Sequence, residues 1–189
     1  QRITTRKPAA YLLNKSYIHG YPFYVDERVI VPRSYIGEIL AGDAGFAPAP
    51  ENVSSALDLC TGSGCLAILA ALSYPDAEIH ATDISQDALD VAEYGLEDRI
   101  TLHKGDLFAP LGKMRFDLIL ANPPYVDAAA ISSFPPEFRA EPVLAHAGGA
   151  DGFDIVRRII AEAKTHLTEH GAIICEFGTG RELLEAEFP

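Results

Sequence analysis

One stretch of this 189-residue chain constrains its fold more than any other: Ala56 to Leu72, a strand that breaks into a glycine turn and restarts as a helix. Ala56-Leu57-Asp58-Leu59 reads as a short buried strand, and Cys65 to Leu72 as a helix stopped before Pro75. The same rhythm then repeats. Glu78 to Thr82 is a second strand, and Ser85 caps a helix rich in Ala and Asp. Ile100 to His103 is a third strand and Phe116 to Ala121 a fourth. Asp151 to His170 reads as one long helix with Ile155, Ile159, Ala163 and Leu167 on a single stripe. Asp151 and Asp154 cap and charge its start. Ala172 to Phe177 is a fifth strand, followed by a helix over Glu182 to Glu187. Alternating strands and helices with right-handed crossovers predict an α/β fold, an open parallel sheet covered on both faces. Ligands of such sheets bind outside the carboxyl ends of the strands, near the point where strand order reverses.

The first fifty residues have a different texture. Tyr21 to Pro32 holds two β-rich runs around Asp26-Glu27 and reads as a hairpin. Ser34 then caps a short helix, Tyr35 to Leu40, and Gly42 to Ser55 is a Gly-, Pro- and Ala-rich linker. Two units are expected: residues 1–50, a segment with hairpin and linker, and residues 51–189, the ligand-binding domain.

Charge narrows the partners. Fifteen Lys and Arg against twenty-seven Asp and Glu give 15 − 27 = −12. Phosphates repel such a surface, so direct nucleic-acid binding is not expected, whereas a basic protein would be attracted. Cys60, Cys65 and Cys175 match neither a disulfide framework nor a zinc spacing and read as structural thiols of a reducing compartment. No ligand pattern joins the six histidines, so no metal is expected. No apolar run is long enough to span a membrane, and no signal peptide opens the chain. A cytoplasmic protein is therefore expected, with an N-terminal extension left open by the absent initiator Met.

Every candidate motif falls at the carboxyl end of a strand. Asp58-Leu59-Cys60-Thr61-Gly62-Ser63-Gly64 is a turn whose glycines let a ligand approach the backbone, with a helix N-terminus beside it. Asp83 ends the second strand, 21 residues beyond Gly62, where a carboxylate can take both hydroxyls of a ribose. Asp106, after the third strand, either lies beside an adenine ring or caps a helix. Gly62-x-Gly64-x-x-Ala67 also satisfies the dinucleotide fingerprint, so these residues leave a dehydrogenase and an adenosyl-cofactor enzyme both open.

Asn122-Pro123-Pro124-Tyr125, directly after the fourth strand, separates the two. The prolines hold an extended backbone and, lacking N–H, leave carbonyls free to accept. Asn122 adds a side-chain carbonyl and Tyr125 a flat face. That is a clamp for a planar –NH2 group, which hydride transfer does not need and methyl transfer from a sulfonium does. Glu137, Arg139 and Glu141 lie in the Pro-rich loop that follows, which either closes over a substrate or is simply solvated.

Asp58, Gly62-Ser63-Gly64, Asp83 and Asn122-Pro123-Pro124-Tyr125 together resemble the class I S-adenosylmethionine-dependent methyltransferases that act on planar amino groups. Upstream, Pro8-Ala9-Ala10-Tyr11-Leu12, Phe23 to Arg28 and Val31-Pro32-Arg33-Ser34 resemble the protein-(glutamine-N5) methyltransferases. Val31 to Ser34 and the run Glu137 to Pro142 fit their ribosomal-protein branch better than their release-factor branch. The resemblance covers nearly the whole chain. It implies a Rossmann-like sheet, S-adenosyl-L-methionine as cofactor, and as substrate a glutamine of the basic third protein of the large ribosomal subunit. It also implies roles for individual residues. Asp58 and Cys60 to Gly64 would wrap the methionine part of the cofactor. Asp83 and Ile84 would hold the ribose, and Asp106 and Leu107 would flank the adenine. Asn122, Pro123, Pro124 and Tyr125 would bind the amide, with Asn122 also near the cofactor and Arg33 in support.

Three departures from that family are expected to matter. The helix after Ser85 meets Tyr94 abruptly where the family runs several residues longer, so either a deletion or an omitted stretch is expected at Glu93–Tyr94. The family adds a final strand pair beyond Pro189 and an N-terminal helical recognition domain. Three other readings stand beside the ribosomal one. They are a release-factor glutamine methyltransferase, a methyltransferase of nucleic-acid base amines, and a cofactor-binding module without activity. Against the base reading, Asn122 to Ala150 contains a single basic residue, Arg139.

Overall fold

A computed structural model describes residues 2–42, 45–92 and 99–188. The expectation placed on Glu93–Tyr94 lies outside the described residues. Two short helices, α1 (Arg2–Thr5) and α2 (Ala9–Leu13), precede an antiparallel hairpin of β1 (Ser16–Ile18) and β2 (Tyr21–Phe23). Then come α3 (Ile36–Leu40), β3 (Ser55–Leu59), α4 (Cys65–Ser73), β4 (Glu78–Asp83), α5 (Gln86–Ala92) and β5 (Ile100–Lys104). The chain continues through β6 (Phe116–Ala121), α6 (Ala128–Ser132), α7 (Asp154–His166), β7 (Leu167–Cys175) and α8 (Arg181–Glu187).

The main sheet is parallel throughout, in the order β5-β4-β3-β6-β7. Order therefore reverses between β3 and β6, which places the glycine turn and the Asn-Pro-Pro-Tyr run side by side at the switch point. Both faces are covered, as a parallel sheet requires. Leu118 and Leu120 pack with α4, α3 and the hairpin on one side. Ile119 and Ala121 pack with Ile159 and Ala163 of α7 on the other. Helix α5 meets Tyr11, Val25 and Val29, which fixes the N-terminal segment across the carboxyl ends of the strands.

Two expectations are corrected here. The hairpin turns at His19-Gly20, not at Asp26-Glu27, because both residues take positive φ (46° and 81°), which a two-residue turn demands. Asp26 instead ties a local turn, accepting from the Arg28 N–H and guanidinium. Val29 and Val31 find side-chain partners, the Tyr11 hydroxyl and the Glu141 carboxylate, rather than a neighbouring strand. The long helix is also shorter than its stripe suggests. It begins at Asp154, because Asp151 accepts the Phe153 N–H in a turn and Gly152 takes φ 86°. It ends at His166, and Leu167 already pairs with Phe116, so the fifth strand starts five residues early and stops at Cys175.

The two expected helix caps held. Ser34 Oγ accepts the Ile36 N–H at the start of α3, although the helix proper begins at Ile36. Ser85 Oγ accepts the Ala88 N–H at the start of α5. None of the described helices is long and apolar enough to cross a membrane, and the described His, Cys, Asp and Glu form no metal-binding group.

Candidate functional site

Two cavities open at the carboxyl ends of the strands and share Cys60, Gly62 and Asn122 as walls. The smaller, about 210 Å³, is bordered by Asp83, Ile84, Asp106, Leu107 and Pro124. The larger, about 600 Å³, is bordered by Thr61, Ser63, Arg33, Pro123 and Tyr125. The sequence-derived candidates thus sort into two compartments that meet at one junction.

The glycine turn is built by its two ends. Gly62 sits at φ +56°, and a Cβ there would meet nothing within 4 Å, so a side chain would project into open space beside both cavities. Gly64 is different: at φ +75° it starts α4, and a Cβ would come within 3.1 Å of the Ala92 Cβ. Gly64 borders neither cavity; its role is close packing. Asp58 likewise stands behind the turn. It is 1% exposed, its Oδ2 accepting the Thr61 hydroxyl (2.5 Å) and the Ala67 N–H (3.0 Å). Both residues were expected among the cofactor contacts; neither borders either cavity, and both hold the turn in place. The reason is strand direction: Asp58 points into the sheet–helix layer one residue before the chain leaves the sheet.

Asp83 couples the two strands. Its Oδ2 accepts the Gly62 N–H (2.9 Å) and its Oδ1 the Ser85 N–H (2.9 Å). Burial pushes this carboxyl up, and the backbone N–H groups work against that rise. Each oxygen keeps a lone pair for a ligand. Asp106 is exposed and paired with Arg158 at 2.8 Å, a partner that the sequence did not indicate. Leu107 is buried at φ +49°, which turns the chain at the floor of the smaller cavity. Ile84 is 52% exposed at its rim. Burial pushes the Cys65 and Cys175 thiols up to about 12, so both stay neutral at neutral pH.

At the larger cavity the Asn122 carboxamide is held by one end. Its Nδ2 donates to the Arg33 carbonyl at 3.1 Å, which leaves Oδ1 as the end available to a ligand. Tyr125 is half-buried, and burial followed by the nearby Glu176 charge pushes its phenol up, so it is a neutral flat wall and not a base. Glu176 escapes the sequence reading, which takes Glu141 only as part of a loop and His146 only as one of six histidines without a ligand pattern. Glu176, just after β7, accepts the Ser34 hydroxyl (2.7 Å) and the Tyr35 N–H (2.9 Å) with Oε2. Glu141 grips the Arg33 guanidinium, at 2.7 and 2.9 Å, and His146 stands beside that carboxylate. For Glu176 the available signal was its place at a strand end; for Glu141 it was the Glu-Phe-Arg-x-Glu-Pro run.

Residues 47–134 match the family model described as the methyltransferase small domain. Over its whole length the chain is 61% identical to a protein of Bradyrhizobium diazoefficiens named ribosomal protein uL3 glutamine methyltransferase, of which it covers 63%. It is 54% identical to a Burkholderia pseudomallei protein of the same name, of which it covers 66%. The chain therefore spans just under two thirds of the length of these relatives. Among solved structures it is similar to a methyltransferase from Pyrococcus furiosus, with a TM-score of 0.63 and 19% identity over 89% of this chain and 75% of that one. That last likeness concerns the fold.

Proposed function

We propose that the chain is a protein-(glutamine-N5) methyltransferase of the ribosomal-protein branch and methylates a glutamine side chain of ribosomal protein uL3 with S-adenosyl-L-methionine, a reading supported by its 61% and 54% identity to two proteins of that name. The residues fit that cofactor. Gly62 leaves the junction open where a Cβ would fill it, and Ser63 Oγ is buried beside the larger cavity without a hydrogen-bond partner among the described residues. Asp83 would accept the ribose hydroxyls, with Ile84 beside them. Asp106 and Leu107 would flank the adenine, and Cys60 to Ser63 the methionine part. When bound, the cofactor supplies an electrophilic methyl group on a sulfonium.

Everything else falls to the chain's own side chains. An amide nitrogen is a weak nucleophile, because its lone pair is delocalised into the carbonyl. Asn122 Oδ1 and the Pro123 carbonyl accept its two N–H bonds, so positive charge developing on nitrogen meets two fixed dipoles. Tyr125 packs against the amide plane and limits it to one approach toward the junction of the cavities. After transfer the nitrogen keeps one N–H and loses the other proton to solvent at the cavity mouth. The observation that carries this reading is the Asn122 Nδ2 bond to Arg33, because it presents an acceptor rather than a donor to the substrate.

The first fifty residues serve as the substrate-side cover and residues 51–189 as the catalytic unit. Arg33, Ser34 and Tyr35 bordering the larger cavity support that division. A chain of net charge −12 suits a basic ribosomal protein in the cytoplasm and disfavours direct contact with nucleic acid. The test is methyl transfer to purified uL3 by the wild type and by Asn122→Ala. We expect kcat to fall by roughly 10²–10³ in the variant, as for loss of one fixed charge-stabilising group, with cofactor affinity changed far less. Equal turnover by both proteins would overturn the reading.

A further inference from the structure

Glu141 borders neither of the two cavities, yet it is one of two buried carboxylates among the described residues. An ionised group in that position is costly unless it is paired and hydrogen-bonded. Its partners are specific. The Arg33 Nη2 donates to both of its oxygens (2.7 and 2.9 Å), and the Val31 N–H donates to Oε1 (3.3 Å). His146 Nε2 stands 2.9 Å from Oε2 and is not aligned as an N–H···O bond. Burial opposes the ionised form; His146 and Arg33 outweigh it and hold the carboxyl below its ordinary value.

The consequence of this grip lies one peptide unit away. The carbonyl of the same Arg33 accepts from Asn122 Nδ2. A carboxamide rotated by half a turn would present N–H groups to an incoming amide, where two acceptors are needed. The segment that prevents this rotation crosses from elsewhere in the chain, 89 residues before Asn122. It is fastened on one side by Glu141 and on the other by Glu176, through Ser34 and Tyr35. The Arg33 guanidinium also lies 4.9 Å over the Phe138 ring, which limits its freedom further.

We propose that Glu141 is a positioning residue for the amide acceptor: by gripping Arg33 and the Val31 N–H it fixes the Arg33 carbonyl, and that carbonyl sets which end of Asn122 faces the substrate. The proposal deepens the glutamine-methylation reading and rests on it for its catalytic consequence, while its structural consequence can be read without turnover. The chain contains three asparagines and two glutamines, so the Asn122 NH2 pair can be assigned in a 15N-labelled sample. In Glu141→Gln, and in Arg33→Lys, which keeps the charge but loses the guanidinium fork, the Asn122 NH2 resonances should shift and exchange faster with water. With uL3 as substrate, kcat should fall about tenfold in either variant, about 1.4 kcal/mol of barrier, with the KM for cofactor held. In an Asn122→Ala background the same substitutions should cost nothing more, because their effect passes through Asn122.

Arg33→Lys keeps the test open if Glu141→Gln does not fold. Unchanged Asn122 resonances in the folded variants, or losses that add to that of Asn122→Ala, would overturn the proposal. If the resonances respond while the wild type leaves uL3 unmodified, the positioning stands and the substrate assignment falls.

Discussion

Asp58 carries two hydrogen bonds on one oxygen and none on the other. Burial pushes its carboxyl up to about 7, against the Thr61 and Ala67 bonds that pull it down. Its unfolded value lies near the ordinary 3.8, so the folded state binds the extra proton between these limits. Native stability is then lost as pH rises from about 4 to about 7, at about 1.4 kcal/mol per unit of the difference. His80 and His103 act in the opposite sense, since burial holds both below their ordinary value and stability rises as the unfolded histidines lose charge. Thermal melts of wild type and Asp58→Asn, compared between pH 4 and 8, separate the two. The variant should gain Tm relative to wild type as pH rises; parallel curves would contradict the assignment. Asp58 also shows what a sequence conveys at this scale. Its place before a glycine turn is legible, but whether it touches a ligand or supports the turn depends on which side of the sheet it faces. Glu141 was visible as part of a loop motif. Its bond to Arg33, 108 residues away, is a tertiary fact that no local spacing encodes.

Between β3 and α4, two glycines of similar φ do different work. Ala at Gly62 costs about 1–2 kcal/mol of left-handed strain, and its methyl group would stand in the open junction of the cavities. Ala at Gly64 carries the same strain and also presses on Ala92 of α5. Gly62→Ala should therefore lower cofactor affinity by more than tenfold for a small loss of Tm, and Gly64→Ala should lower Tm more and affinity less. Calorimetric titration with S-adenosyl-L-methionine beside thermal melts checks both; equal losses of affinity would contradict the division. At this scale β3 through β6 were legible almost residue by residue, because apolar runs bounded by turn signals leave little choice. The hairpin was misplaced because strand-like composition runs on to Val31, whereas only Tyr21 to Phe23 pairs with a strand, and Val25, Val29 and Val31 bond to the side chains of Asn14, Tyr11 and Glu141. The end of α7 was missed because Leu167 continues the helical stripe while its backbone has already joined β6.

Across the whole molecule, the order β5-β4-β3-β6-β7 converts two distant motifs into one site. The reversal sets the glycine turn after β3 beside Asn122 to Tyr125 after β6, and the N-terminal segment supplies the carbonyl that accepts from Asn122. On the proposed function, the net charge of −12 would add long-range attraction for a basic substrate. The most direct measurement incubates the protein with S-adenosyl-L-methionine and an equal mixture of uL3, release factor and ribosomal RNA, then maps the product by fragmentation mass spectrometry. A single methyl group on the side-chain nitrogen of one uL3 glutamine, lost with Asn122→Ala, is expected. Methyl groups on RNA or on release factor, with uL3 unmodified, would contradict it.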